Sequence, residues 1–152
     1  EATLPAIAPA AGVRGRVLIG AAFGARSPIR HPSDPLLVDL ALAAGGRLGL
    51  PASDDERAVF VIEGELRVGD ETVTADRLAV LRDGCAAALV ATAATRALVL
   101  GGPEFPPRFI EWNFVASSHA KIERAREAWK ARQFPAIPTD AVEFIPWPEP
   151  RR

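Results

Sequence analysis

The residues from Glu56 to Gly69, Glu-Arg-Ala-Val-Phe-Val-Ile-Glu-Gly-Glu-Leu-Arg-Val-Gly, decide the fold. Val59, Phe60, Val61 and Ile62 form a β-branched and aromatic run, Gly64 interrupts it, and Leu66 and Val68 resume it in strict alternation. The segment therefore reads as strand, bend and strand. Gly64 is the pivot, because a lone glycine inside a strand pattern marks a bulge, a barrel corner or a positive φ that a Cβ would oppose. Gly69-Asp70 adds a two-residue hairpin signal before Thr72, Val73 and Thr74 restore the strand pattern.

Toward the C-terminus, Leu78–Leu81, Ala86–Ala94 and Arg96–Leu100 read as further strands, with a turn at Asp83-Gly84 and a close at Gly101-Gly102. Alanine in 86–94 favours helix, but the flanking turn signals leave room only for a strand. Toward the N-terminus, Leu48–Leu50, Leu36–Leu42 and Arg16–Gly20 are strand candidates, with Asp39 in the middle of the second. Residues 1–12, with Pro5, Pro9 and many alanines, read as an extended lead-in. All fourteen prolines lie outside residues 52–102. Proline cannot donate to a strand ladder, so that block is expected to hold the central strands.

Beyond Pro107, the run Phe109–Val115 is aromatic and β-branched, and Ser117 or Ser118 is placed to cap a helix reaching about Arg132. Ile122, Ala125 and Trp129 share one face of it, while Lys121, Glu123, Arg124, Glu127 and Lys130 face water. The apolar tail Glu143-Phe-Ile-Pro-Trp-Pro is expected to dock on something. Many short strands followed by one helix predict an all-β fold: a barrel or jelly roll with one C-terminal α-helix and an extended tail. The expected plan is a lead-in over 1–12, the barrel over 13–116, and the helix with its docking tail over 117–152.

Composition narrows the function classes. The 152 residues suffice for one domain burying roughly 68 to 70% of the unfolded chain's surface. Cys85 is the only cysteine, so no internal disulfide forms. A net charge of −1 gives no basic footprint for nucleic acid and no cationic surface for anionic lipid. No apolar run reaches the ~18 residues of a membrane span, and no basic segment precedes an apolar one as in a signal peptide. The expectation is a cytoplasmic protein that binds neither membrane nor nucleic acid directly. The chain holds no methionine and begins at Glu1, which leads to the expectation of a fragment or processed product. No Ser-His-Asp arrangement, P-loop or G-x-G-x-x-G stands in the sequence.

Glu56–Gly69 resembles the central motif of a cupin. Taken with Leu78-Ala-Val-Leu, Leu98-Val-Leu-Gly-Gly, Trp112-Asn-Phe-Val-Ala-Ser-Ser, the helix through Trp129, Arg132-Gln-Phe and Glu143-Phe-Ile-Pro, the chain is similar to the C-terminal half of pirin-family proteins over nearly all of residues 12–148. The resemblance implies a bicupin whose N-terminal barrel holds iron or a similar metal through histidines and a glutamate. It also implies quercetin dioxygenase activity in some members and a nuclear transcription-cofactor role in others.

A cupin metal motif runs G-x5-H-x-H-x3-4-E-x6-G, with a second histidine motif later. Counted back from Gly64, the glutamate position is Arg57, the histidine positions are Ser53 and Pro51 (or Ala52 and Leu50), and the leading glycine is Gly45. In the second motif Gly84 holds the glycine place and the histidine falls at Ala87. A guanidinium at Arg57 repels a divalent cation, because arginine stays protonated. His31 and His119, the two histidines present, lie in a proline-rich loop and in the first helical turn. The expectation is a metal-free barrel with no cofactor of its own, iron or a similar metal belonging only to a companion barrel.

The remaining candidates have plain structural readings beside the functional ones. Arg57 reads as a structural ion pair with Asp39, Glu56 or an acid at the barrel mouth, or else as an anion site. Cys85 reads as a small buried hydrophobe. Trp112, Trp129, Phe134, Phe144 and Trp147 read as core, part of it a candidate interface to a second barrel. The expected function is a C-terminal cupin domain with a structural or interaction role and no catalysis, partnered by an N-terminal cupin domain and self-associating as a dimer when isolated. The alternative is a stand-alone module holding a small anionic or aromatic ligand around Arg57.

Overall fold

The computed structural model describes residues 3–53, 55–140 and 142–148. The strands are β1 Ala6–Ala10, β2 Val13–Ile19, β3 Ala21–Ala22, β4 Ala25–Arg26, β5 Leu36–Leu42, β6 Arg47–Leu50, β7 Glu56–Glu63, β8 Glu65–Val68, β9 Glu71–Thr74, β10 Arg77–Val80, β11 Ala87–Ala91, β12 Thr95–Gly102, β13 Phe109–Glu111 and β14 Phe114–Ala116. The helix α1 is His119–Lys130. The chain divides into two compact units, Glu1–Glu104 and Phe105–Arg152.

In the first unit a six-stranded antiparallel sheet, β1-β2-β5-β12-β7-β10, shares one core with a four-stranded sheet, β6-β11-β8-β9. Alternation builds that core strand by strand. In β5, Val38, Leu40 and Leu42 point inward and are buried, while Asp39 and Ala41 point outward. In β7, Val59 and Val61 are fully buried from one face, and Leu66 and Leu89 meet them from the smaller sheet. The expected all-β barrel with one C-terminal helix is the fold observed.

The opening stretch is where the chain changes sheet. β7 belongs to the larger sheet and β8 to the smaller one, with Gly64 alone between them. Gly64 has φ +82, and a Cβ there would stand 2.4 Å from the Ala94 carbonyl oxygen and 2.6 Å from Thr95 Oγ1. Side chains other than glycine are thus excluded by both conformation and space. Thr95 is buried beside this corner; its Oγ1 accepts from Glu65 N at 3.0 Å and lies 3.0 Å from the Glu65 carbonyl oxygen. The strand register between β7 and β12 shifts at the same point. Gly69 has φ +61 and opens the two-residue turn that pairs Val68 with Glu71.

The two sheets differ on their outer faces. Across the larger sheet the register aligns Leu78, Phe60, Leu98 and Asp39 in one row, and Val80, Ala58, Leu100 and Leu37 in another. The smaller sheet carries Arg47, Val90, Arg67 and Thr72 across its outside. A sheet solvated on one face alternates apolar and polar residues, whereas strands buried on both faces read as continuous apolar runs. Val59-Phe60-Val61-Ile62 is such a run: the first and third residues face the core, and Phe60 and Ile62 are half-buried on the outside.

Two segments differ from expectation. Residues 6–10, read as part of a lead-in, form β1, the edge strand of the larger sheet. Pro9 hid it from the sequence pattern, but an edge strand tolerates proline, and the β1–β2 register is irregular between Ile7 and Ala10. Residues 109–116, expected within the barrel, pair with each other as the β13–β14 hairpin and belong to the second unit. The turn is Trp112-Asn113, with Trp112 at φ +52.

In that second unit Ser118 caps α1, its side chain accepting from Lys121 N, and Ile122 is the buried helix residue. Trp112, Phe114, Trp129, Phe134, Phe144 and Trp147 pack on one another, with Trp112 and Trp129 ring centroids 5.3 Å apart. Trp129 Nε1 donates to the Ile145 carbonyl at 2.9 Å and ties the tail to the helix.

Candidate functional site

The strand following Pro51 decides what stands at the mouth of the first unit. Because β7 alternates, Arg57 falls on the same inward face as Val59 and Val61, and it is only 9% exposed. Gly101 lies directly across the ladder, where a Cβ would come within 2.9 Å of Arg57 Cγ; its absence makes room for the arginine stem. The guanidinium then reaches two loops. Nη1 donates to the Pro51 carbonyl and Nη2 to the Cys85 carbonyl at 2.8 Å. Two backbone bonds reinforce this tie, Gly84 N to Ser53 O at 3.0 Å and Leu81 N to Arg57 O at 2.8 Å. Arg57 Nε is buried and has no hydrogen-bond partner among the described residues.

Beside Arg57 lies a cavity of about 400 Å³, whose lining includes Phe23, Leu36, Leu50, Pro51, Ala52, Ser53, Asp55, Arg57 and Val99. The structure thus gathers the positions Leu50, Pro51, Ala52, Ser53 and Arg57, where the cupin motif places ligands, around one space. Ala87 packs against the core and does not line that cavity. The side chains there do not fit a cupin metal. A fixed cation occupies the carboxylate position, and among the described residues no three His, Cys, Asp or Glu side chains converge on a point.

The other predicted residues separate from Arg57. Asp39 lies on the outer face of β5 and takes a two-pronged contact from Arg96, Nε to Oδ1 at 3.1 Å and Nη2 to Oδ2 at 3.0 Å. This hydrogen bond and charge hold the Arg96 guanidinium more firmly protonated than usual. The Arg57–Asp39 ion pair read from the sequence is therefore corrected: strand alternation sends the two to opposite faces, and backbone carbonyls hold Arg57. Cys85 is exposed in the turn before β11, not buried, and contributes its carbonyl. His31 is an exposed loop residue whose Nδ1 lies 2.8 Å from Ser33 Oγ. His119 lies against Phe109, with ring centroids 3.9 Å apart and the planes tilted by 43°.

The five aromatic residues singled out in the sequence do come together, and Phe114, not among them, joins as a sixth. Phe114 stands in the aromatic run Phe109–Val115 but carried no signal of its own, because the turn at Trp112-Asn113 that brings it to the cluster was not legible. Arg126 donates to Glu111 at 3.2 Å alongside this cluster, a contact that keeps the arginine firmly charged. The carbonyls of Pro51 and Cys85 carried no sequence signal, since every residue has one.

Residues 37–135 match the pirin C-terminal cupin domain family. A pirin-like protein from Caulobacter vibrioides is 37% identical over 138 residues, covering 91% of this chain and 48% of its own length. A Pseudomonas aeruginosa protein that carries the provisional name quercetin 2,3-dioxygenase is 35% identical over 146 residues, covering 90% of this chain and 46% of its own. A crystal structure of quercetin 2,3-dioxygenase from Acinetobacter baumannii superimposes with a TM-score of 0.80 at 26% identity, over 98% of this chain and 51% of that one. The chain spans about half the length of these relatives. Match and fold agree that the chain belongs to the pirin C-terminal cupin domain family.

Proposed function

We propose that this domain is a metal-free cupin barrel with a structural and interaction role, and that its partner is a companion barrel of the same parent protein. The observation that carries the reading is the outer face of the six-stranded sheet. Leu78 is 54% exposed and Val80 76% exposed on the edge strand, and the rows behind them continue through Phe60, Leu98 and Leu100. Water on such a face is unfavourable by about 25 cal/mol per Å² of apolar surface, so a covering partner is stabilising. The relatives are about twice as long as this chain, which supports a second barrel as the occupant.

Any quercetin dioxygenase chemistry of the parent belongs in this reading to the companion barrel. The support is the donor set here, where Arg57, Ser53 and Pro51 stand at ligand positions. Oxygen uptake by this chain with quercetin is expected to be nil.

Light scattering of the isolated chain tests the docking role. Without a companion, the apolar face is expected to pair with a second copy and give a dimer or larger species. The double variant Leu78→Glu/Val80→Glu places like charges on that face and is expected to return a folded monomer. A wild-type chain that runs as a monodisperse monomer overturns the reading.

A further inference from the structure

The geometry points to a binding site for a small monocarboxylate with an apolar body in the cavity beside Arg57, a use that goes beyond docking and does not depend on it. Arg57 is nine-tenths buried, yet its two bonded partners are neutral carbonyls, those of Pro51 and Cys85. A guanidinium has five N–H donors and a permanent charge, and Nε finds no acceptor among the described residues. The ion pairs of the described residues lie elsewhere, on Arg26, Arg96 and Arg126. A charge taken out of water is costly until it is paired, so a carboxylate arriving in the cavity supplies the opposite charge that the described side chains leave out.

Ser53 sets the polar end of the same space. Its Oγ accepts from Asp55 N at 3.1 Å, which leaves the hydroxyl proton for an incoming oxygen. The lining also includes Phe23, Leu36, Leu50 and Val99, which favour a hydrocarbon body over a phosphate or a sugar. A volume of about 400 Å³ is on the small-molecule scale. Asp55 also lines the cavity, is exposed, and its carboxylate opposes an anion. That opposition limits the affinity and gives the site a signature.

Calorimetric titration of the whole chain with benzoate, and with benzamide as its neutral isostere, tests the proposal. Benzoate is expected to bind and benzamide to bind at least tenfold more weakly. Arg57→Met is expected to lower benzoate affinity tenfold or more. Asp55→Asn, at an exposed position that does not threaten folding, is expected to raise it severalfold. Ala22 also lines the cavity, and Ala22→Phe is expected to fill it and abolish binding while Arg57 remains. Absence of benzoate binding at millimolar concentration, equal binding of benzoate and benzamide, or an affinity unchanged in Asp55→Asn would each overturn the assignment.

Discussion

Arg57 and Gly64 show how far single residues determine this barrel. At Gly64 the backbone is left-handed and two oxygens crowd the Cβ position. Gly64→Ala is expected to cost about 3 kcal/mol, the left-handed penalty plus displacement of Ala94 and Thr95. At Gly84, also left-handed but with open space around it, alanine meets no neighbour within 4 Å and is expected to cost only about 1 kcal/mol. Chemical denaturation of the two variants checks the difference; equal losses would mean that crowding at the corner does not matter. Arg57→Met removes the charge-assisted bonds to Pro51 and Cys85, both exposed residues whose carbonyls water can then satisfy. The expected loss is therefore modest, about 1 to 2 kcal/mol. The arginine was legible in the sequence as the residue in the glutamate position. Its partners were not, because only the pairing of strands shows which face each turns to the core, and that pairing sends Asp39 outward to Arg96 and leaves Arg57 with carbonyls.

At the scale of elements, pattern strength decided what could be read. Leu36–Leu42 and Glu56–Val68 alternate or run apolar without proline, and they fold as read. β1 was hidden by Pro9, since the rule that bars proline from a ladder relaxes at a sheet edge. The β13–β14 hairpin was hidden for a different reason: its turn residue is Trp112, a side chain that rarely adopts φ +52 and gives no turn signal. Aromatic packing with Phe114, Trp129 and Trp147 holds it there. The helix was legible from its periodic face and from the pair Ser117-Ser118, of which Ser118 is the cap. Ser118→Ala is expected to remove about 1 kcal/mol from α1, read as faster amide exchange in its first turn. Trp129→Phe keeps the ring contacts but loses the bond to Ile145, so exchange in residues 142–148 is expected to rise while the helix stays protected. Unchanged exchange in the tail would mean that the indole bond does not hold it.

For the whole molecule, fold and chemistry part company. The glycines at the cupin turn positions, Gly45, Gly64 and Gly84, all have left-handed φ, the conformation that a tight turn asks of glycine. At the places where the cupin motif sets its ligands, this chain has Pro51, Ser53, Arg57 and Ala87. An internal guanidinium now ties together the loops at Pro51 and Cys85. The function proposed for the barrel rests on its surface, above all the outer face of the larger sheet, and on the poor fit of the side chains around Arg57 to a metal. The most direct test is the metal content of the purified chain, expressed with added iron, nickel and copper and dialysed against a weak chelator. Only trace metal is expected, far below one ion per chain; one tightly held iron, nickel or copper per chain would overturn the metal-free reading.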